Sequence, residues 1–455
     1  MAVLWSSSLL FLSILKMIRR FWSKAPCKDW QKKESLRDII TKAFGSVWTR
    51  REKRNSWKIC GQAEKVVRMN FQDLKEFYTG KRVFITGHTG FKGSWLSLIL
   101  ETLGAKVYGY ALEAKEGELF SLLYPELSSP EKAEEERICS FIGDVRNYEH
   151  LRSVLEWVKP EIVFHLAAQP LVRESYLFPR ETYETNVMGT VNLLEAVRLT
   201  PSVKSVLNVT TDKVYENEDI ENHAFTEDEK LDGFDPYSNS KSCSEILTHC
   251  YKKSFFTEPE GRGKRQVHLP RISTARAGNV IGGGDFAKDR IIPDAVRASV
   301  KGKTIGVRNP YSVRPYQHVL EPLVVYLEIA ARQEGFVKGL SGEDFSYEKG
   351  RSFAGYYNVG PSLQDAITTG KLAELFVEFW GDKASWTNMA EKNAPHEAGF
   401  LQLNTNKVRR TFRWTPRYTV KEAVKETVDW YKAWSKGEDM RKYSMEQIRH
   451  FFAVG

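Results

Sequence analysis

The segment that most limits how this chain folds is Arg82–Gly93, RVFITGHTGFKG. A β-branched apolar run ends directly in three glycines spaced three apart, and helix periodicity resumes over Trp95–Leu103. A buried strand that stops in a glycine turn and enters a helix lets the backbone approach a pyrophosphate, whose charge the helix N-terminus stabilises. Gly87, His88, Thr89, Gly90, Phe91, Lys92 and Gly93 are therefore candidate cofactor-binding residues. His88 and Lys92 either add positive charge near the phosphates or face solvent. The spacing is G-x-x-G-x-x-G rather than G-x-G-x-x-G, and an ordinary glycine-rich turn looks the same.

The chain beyond this helix repeats the strand–helix rhythm. Strands are expected at 106–112, 138–142, 162–166, 203–210 and within 267–277, with helices at about 147–158, 181–199 and 237–256. This alternation predicts a doubly wound parallel sheet of Rossmann type, covered on both faces. The second strand ends GYALE with no acid at its tip, so nothing here chooses between NAD and its 2′-phosphorylated form. Asp144, after the third strand, either meets the adenine amino group or is a turn or helix N-cap residue. Beyond about 285 the alternation weakens. The expected division is a dinucleotide-binding domain over 69–284 and a smaller α/β substrate-binding domain over 285–455.

Composition enters through its distribution. The chain has 455 residues and a net charge of +9. Residues 1–68 hold 16 Lys and Arg against 5 Asp and Glu, while the other 387 hold 51 against 53. The body has no charge excess with which to hold nucleic acid. The apolar run at 1–15 is short for a spanning helix, and its basic residues follow it rather than precede it. Residues 1–68 read as a basic extension, weakly ordered or not native, with Met69 a suitable start. A membrane partner is expected only if that extension acts as an anchor. Five scattered cysteines without a Cys-x-x-Cys pair suit a reducing, cytoplasmic setting, and the nine histidines show no metal-ligand spacing.

Two clusters carry chemistry. Tyr237 and Lys241 stand i, i+4 at the start of a helix, which puts phenol and ammonium on one face. A nearby cation favours phenolate, so the Tyr accepts a proton from a sugar hydroxyl near neutral pH. Thr211, Asp212 and Lys213 close a strand at its carboxyl end, where ligands sit in open α/β sheets. There a hydroxyl orients substrate, a carboxyl protonates a leaving group, and an amine of lowered pKa takes a proton alpha to a ketone. A strand-end turn accounts for Thr-Asp equally well.

With these motifs in place, residues 70 to the end resemble the extended short-chain dehydrogenases/reductases and, more narrowly, the CDP-glucose 4,6-dehydratase family. The segments that carry the likeness are GHTGFKGSWL, FHLAAQPLVR (164–173), DPYSNSK (235–241), ARAGNVIGGGDFAKDRIIPD (275–294), RPYQHVLEPL (314–323) and WYKAW (430–434). The resemblance implies NAD as cofactor and an internal redox reaction on a nucleotide sugar. It also implies a place in deoxysugar and lipopolysaccharide O-antigen biosynthesis, and a homo-oligomer, dimer or tetramer. It assigns Tyr237 as base, Thr211 to orient the C4 hydroxyl, Asp212 as acid, and Lys241 to the cofactor ribose. Lys213 stands where related dehydratases carry Glu, and is the candidate C5 base. Val145, Leu166, Ala167, Ala168 and Asn186 fall where the superfamily contacts NAD, as does His165 unless it is a core histidine. Gln169, Arg173, Asn279, Arg290, Arg308 and Arg314 would hold the substrate. His318 and His396 fit the pattern without a chemical role. The 68-residue extension and the Gly261–Arg265 insertion are foreign to it. A 4-epimerase or decarboxylase on the same fold needs no acid at Asp212. A non-catalytic or RNA-associated relative typically lacks Tyr237 or Lys241.

Overall fold

Helix α1 (Phe71–Tyr78) leads into β1 (Arg82–Thr86), the strand marked most strongly in the sequence. In this computed structural model the described residues are 67–125, 138–257, 269–336, 353–381, 383–390 and 399–454, within a unit spanning 65–455. The extension up to residue 66, Gly261–Arg265 and His396 lie outside them. Alternate side chains of a strand face opposite sides. Val83 and Ile85 of β1 enter one core and Phe84 the other, so both faces are covered and the run is apolar throughout.

The chain continues through α2 (Phe91–Thr102), β2 (Lys106–Ala111), β3 (Ile138–Ile142), α3 (Tyr148–Val158), β4 (Ile162–His165) and α4 (Gly189–Arg198). It then forms β5 (Ser205–Thr211), α5 (Pro236–Ser254), β6 (Arg271–Ala277), α6 (Ile291–Val300) and α7 (Leu320–Glu334). Last come β7 (Tyr356–Val359), α8 (Thr369–Trp380), α9 (Val420–Ser435) and α10 (Met440–Ala453). The seven strands pair in parallel in the order β7-β6-β5-β4-β1-β2-β3. One core includes Trp95 and Leu98 of α2, Leu323 and Leu327 of α7 and Val428 of α9; the other includes Leu151 of α3 and Leu193 of α4. The doubly wound parallel sheet is thus the observed fold. The direction of winding reverses between β1 and β4, which opens a crevice at the carboxyl ends there.

Two expectations change in detail. The helix expected over 181–199 is broken: Pro179–Tyr183 is followed by a wide π turn at Glu184–Met188 before α4. That turn brings Asn186 inward, where its amide oxygen accepts from the Gln169 backbone at 2.8 Å and its nitrogen donates to Ser240 at 2.9 Å. In addition, β7 and α7 come from beyond residue 284. β7 pairs with β6, and Ser205 and Gln333 tie α7 to the start of β5. The sheet layer therefore draws on both sides of the expected boundary. Smaller pairs, Ile305–Val307 with Trp386–Asn388 and Val313–Arg314 with Ile367–Thr368, add to the C-terminal part.

Candidate active site

The loops that leave the sheet at its carboxyl edge line a single cleft of about 1030 Å³. Gly87 follows β1 at φ +77°, and the turn it makes lets α2 begin at Phe91 with Gly90 as its N-cap. A Cβ on Gly93 would come 2.1 Å from the Gly87 carbonyl, so helix and strand approach only because that side chain is missing. Gly90 differs: a Cβ there meets nothing nearer than 3.4 Å, which leaves the helix N-terminus open toward the cleft. Gly87, Thr89, Gly90, Phe91, Lys92, Gly93, Asp144, Val145, Leu166, Ala167 and Ala168 all line this wall, as a dinucleotide cradle requires.

His88 does not join them. It is buried, its Nε2 lies 2.7 Å from Ser140 Oγ, and it packs edge-on against Phe120. Burial pushes it down to about 3, so it stays neutral and supplies no charge to phosphates. Gly109 is what makes room for its ring. Asn186 is likewise absent from the lining and serves to hold the Gln169 loop. His165 is a core histidine between Thr86 and Thr190, also held near 3 by burial. His318 is buried and neutral for the same reason. The carboxylate of Asp144 accepts from the backbone and guanidinium of Arg146 and holds the turn at the rim. Asn147, not Asp144, caps α3.

On the opposite wall, Pro236 at the first helical position and the Asp235 cap, which accepts from Ser238 at 2.9 Å, fix the start of α5. This places Tyr237 in the first turn facing the cleft, and Ser175 Oγ accepts its backbone N–H. β5 ends in Thr211, whose hydroxyl donates to Asp212 Oδ1 at 3.0 Å. Asp212 is 2% exposed; burial raises its pKa, opposed by Lys213, the Thr211 hydrogen bond, Arg314 and Lys92. Its Oδ2 has no hydrogen-bond partner among the described residues. Thr211, Asp212, Lys213, Tyr237 and Lys241 are all brought to this one cleft.

One electrostatic expectation is corrected. Lys241 Nζ donates to the Val209 carbonyl at 3.1 Å, and burial pushes it down to about 8 against the pull of Glu245. Burial pushes Tyr237 up to about 12. The Thr211 side chain and the charge of Arg290 oppose that rise. Lys92 is pushed down to about 8 by burial and by Arg290, with Asp212 opposing.

Gln169, Arg173, Asn279, Arg290, Arg308 and Arg314 also line the cleft. Two of these arginines are anchored by acids that sequence reading passed over. Asp285 holds Arg290 at 2.8 Å, and Asp289 and Asp294 pair with Arg308. The alternating acids and bases of GGGDFAKDRIIPD were the available signal. Beneath the site a second missed pair, Arg276 and Glu245, is buried at 3.0 Å and ties β6 to α5. Among the described residues no group of three or more His, Cys, Asp or Glu converges as a metal site does.

A doubly wound sheet with a glycine cradle on one wall and a phenol, a hydroxyl and a buried carboxyl on the other defines a dinucleotide-dependent sugar-modifying enzyme class. The chain belongs to the GDP-mannose 4,6 dehydratase family, whose model matches residues 84–427. It is 44% identical over 380 residues to a CDP-glucose 4,6-dehydratase of Salmonella typhimurium, spanning 84% of this chain and 98% of that one. A dTDP-glucose 4,6-dehydratase of Haemophilus influenzae is 23% identical over 63% of this chain and 81% of its own length. Among solved structures, a Bacillus anthracis dTDP-glucose 4,6-dehydratase in complex with NAD matches at TM-score 0.60 and 23% identity, over 80% of this chain and all of that one. A Thermus thermophilus UDP-glucose 4-epimerase complex with NAD matches at 0.61 and 21%, over 77% and 99%. The two structural likenesses speak for the fold. No helix among the described residues is long and apolar enough to cross a membrane.

Proposed function

We infer that the chain is an NAD-dependent nucleotide-sugar 4,6-dehydratase that converts CDP-glucose to CDP-4-dehydro-6-deoxyglucose and water. The observation that carries this reading is Asp212, a buried carboxyl with one unpartnered oxygen beside Thr211 in the cleft that holds Tyr237. A dehydration needs an acid for its departing hydroxyl, and a 4-epimerisation does not. The choice of CDP-glucose among nucleotide sugars rests on the likeness to the Salmonella enzyme across nearly its whole length.

NAD would be held along Gly87, Thr89, Gly90, Phe91, Lys92, Gly93, Asp144, Val145 and Leu166–Ala168, with Lys241 toward its ribose, and would supply a reversible hydride acceptor for the sugar. Tyr237 removes the C4 hydroxyl proton while Thr211 orients that hydroxyl. The resulting ketone makes the C5 proton acidic, and Lys213 is our candidate to remove it. Asp212 protonates the C6 hydroxyl as it leaves. Asn279, Arg308, Arg314 and Arg173 would grip the diphosphate, since guanidinium groups bind phosphate bidentately, and Gln169 would border the sugar. Arg290 would serve the nucleotide. We place the enzyme in the cytoplasm, supplying a deoxysugar for surface polysaccharide. Exposed Tyr176, Leu177, Phe178 and Met188, with Ile246 on the neighbouring α5, favour a homo-oligomer.

The test incubates the full-length chain and NAD with CDP-, dTDP- and UDP-glucose and with GDP-mannose. Mass spectrometry should show loss of one water from CDP-glucose alone, with deuterium placed at C4 recovered at C6 and no net consumption of NAD. Stoichiometric consumption of NAD, or water loss from another nucleotide sugar in preference, would overturn the assignment.

A further inference from the structure

Helix α5 packs on the sheet with the wrong face for an ordinary surface helix. Such a helix buries an apolar stripe and turns its polar side to water. Every residue that α5 buries, from Ser238 to Thr248, carries a hydroxyl, an ammonium or a carboxylate, while Ile246 is exposed. Burying such groups is costly unless each finds a partner, and here the partners stand on two strands. On β5, the Asn208 amide donates to Ser244 and to Thr248, each at 2.9 Å. The Val209 carbonyl accepts from Lys241 at 3.1 Å, and the Thr210 hydroxyl donates to Glu245 at 2.5 Å. On β6, Thr274 donates to the other oxygen of Glu245 at 2.8 Å, and Arg276 gives one N–H to each oxygen at 3.0 Å. Each oxygen of Glu245 thus accepts two hydrogen bonds. Arg276 is held from behind, donating to the Tyr215 hydroxyl at 2.8 Å and the Glu227 carbonyl at 3.0 Å.

We propose that Glu245 is a positioning residue that sets the register of α5 on β5, and with it the placement of Tyr237 against Thr211 and Asp212. The proposal rests on the dehydratase reading above. Tyr237, Lys241 and Glu245 follow one another at intervals of four, so they share one face of α5. Thr210 directly precedes Thr211 on β5. The carboxylate therefore joins the helix that carries the base to the strand that carries the orienting hydroxyl and leads into the acid. Glu245 does not itself line the cleft, so it acts through Tyr237 and Lys241 rather than on substrate. The polar face is what makes this a register device. Hydrophobic burial is non-directional and follows area, so an apolar face tolerates a small slide or rotation of the helix. Hydrogen bonds weaken steeply as their geometry departs from ideal. A slide of α5 would stretch the bonds at Asn208, Val209 and Thr210 together, in an interior where an unpaired polar group is costly. The helix is thereby held at one position along the strand.

The experiment follows cofactor reduction in a single turnover of the NAD-loaded full chain on CDP-glucose, with NAD affinity from calorimetry and melting temperature measured on the same samples. Glu245→Asp keeps the charge and draws the carboxylate back by one methylene. Thr210→Val removes a single hydrogen bond to it, so this variant remains a test if Glu245→Asp does not fold. Both should slow oxidation at C4, by up to roughly 10²-fold, the scale of a reacting group displaced by about 1 Å. NAD affinity should hardly change, because the cradle lies on the other wall. Thr210→Ser returns the hydroxyl and should restore the rate. The comparator is Thr427→Val, which removes a buried hydroxyl of α9 that donates to the Ala423 carbonyl. It should lower the melting temperature and leave oxidation as fast as before. Thr210→Val and Glu245→Asp melting earlier yet oxidising at the unaltered rate would make Glu245 a stabilising group alone and overturn the proposal. So would a Thr210→Ser variant as slow as Thr210→Val. Absence of any water loss by the unaltered enzyme removes the dehydratase reading itself, and the positioning role with it.

Discussion

Tyr237 and Asp212 act on different protons, so removing each should stop the reaction at a different place. Tyr237→Phe takes away the base for the first step. We expect both 4-ketone and water to be lost, by roughly 10²- to 10⁴-fold. Asp212→Asn keeps that base and removes the acid, so 4-ketone should still form while water release falls on the same scale; mass spectrometry of quenched reactions separates the two. Gly93 is a test of the cradle. Its missing Cβ would lie 2.1 Å from a backbone oxygen that cannot swing aside. Gly93→Ala should displace the turn, weaken NAD binding by at least tenfold in calorimetric titration, and lower the melting temperature. At this scale the sequence was informative where a short pattern has one geometric outcome. Tyr237 and Lys241 reach one cleft, as their spacing requires. It was uninformative where identity depends on neighbours distant in the chain. His88 stands within the glycine turn yet turns into the core toward Ser140, 52 positions away. Only the fold shows Asp285 anchoring Arg290 at the cleft that holds Tyr237.

Among the elements, α7 holds the clearest latent pH response. Glu321 accepts two backbone N–H groups, from Arg417 and Tyr418, and Glu328 accepts one from Met69. Burial pushes each carboxyl up to about 7, opposed by those hydrogen bonds and by the charges of Arg68, Arg332 and Arg417. The folded chain therefore binds these protons more tightly than the unfolded one. Between pH 4.5, the ordinary value for Glu, and about 7, stability should fall as pH rises; above about 7 the loss is complete. Urea denaturation across that window should show the decline, and Glu321→Gln or Glu328→Gln should flatten it. Strand and helix identities were legible because period-2 and period-3.6 patterns are local properties of a chain. The π turn at Glu184–Met188 was not legible. It depends on a hydrogen bond between Asn186 and the Gln169 backbone, which no window on the helix itself contains.

For the molecule as a whole, exposed apolar residues gather on neighbouring helical segments. Leu177 is 73% exposed and Ile246 54%. Such a cluster is uncommon on a free monomer, and we propose it as a homo-oligomer face. Ile246→Glu should shift the full chain toward monomer in sedimentation velocity while leaving the cleft residues in place; an unchanged oligomer would assign assembly to another face. The parallel sheet was legible from the alternation of elements. The origin of its last strand was not, since Tyr356–Val359 follows a long stretch without that rhythm and pairs across more than 80 positions with β6. The pairing of β7 with β6 bears on how the protein is made. A ribosome that has delivered everything through residue 284 has released six strands of the sheet, yet the β6 edge still offers its bare amides and carbonyls to any passing chain. That edge closes only once Val359 has emerged. Until then it is exposed to capture by chaperones or by other nascent chains, and synthesis through the intervening segment sets how long that exposure lasts.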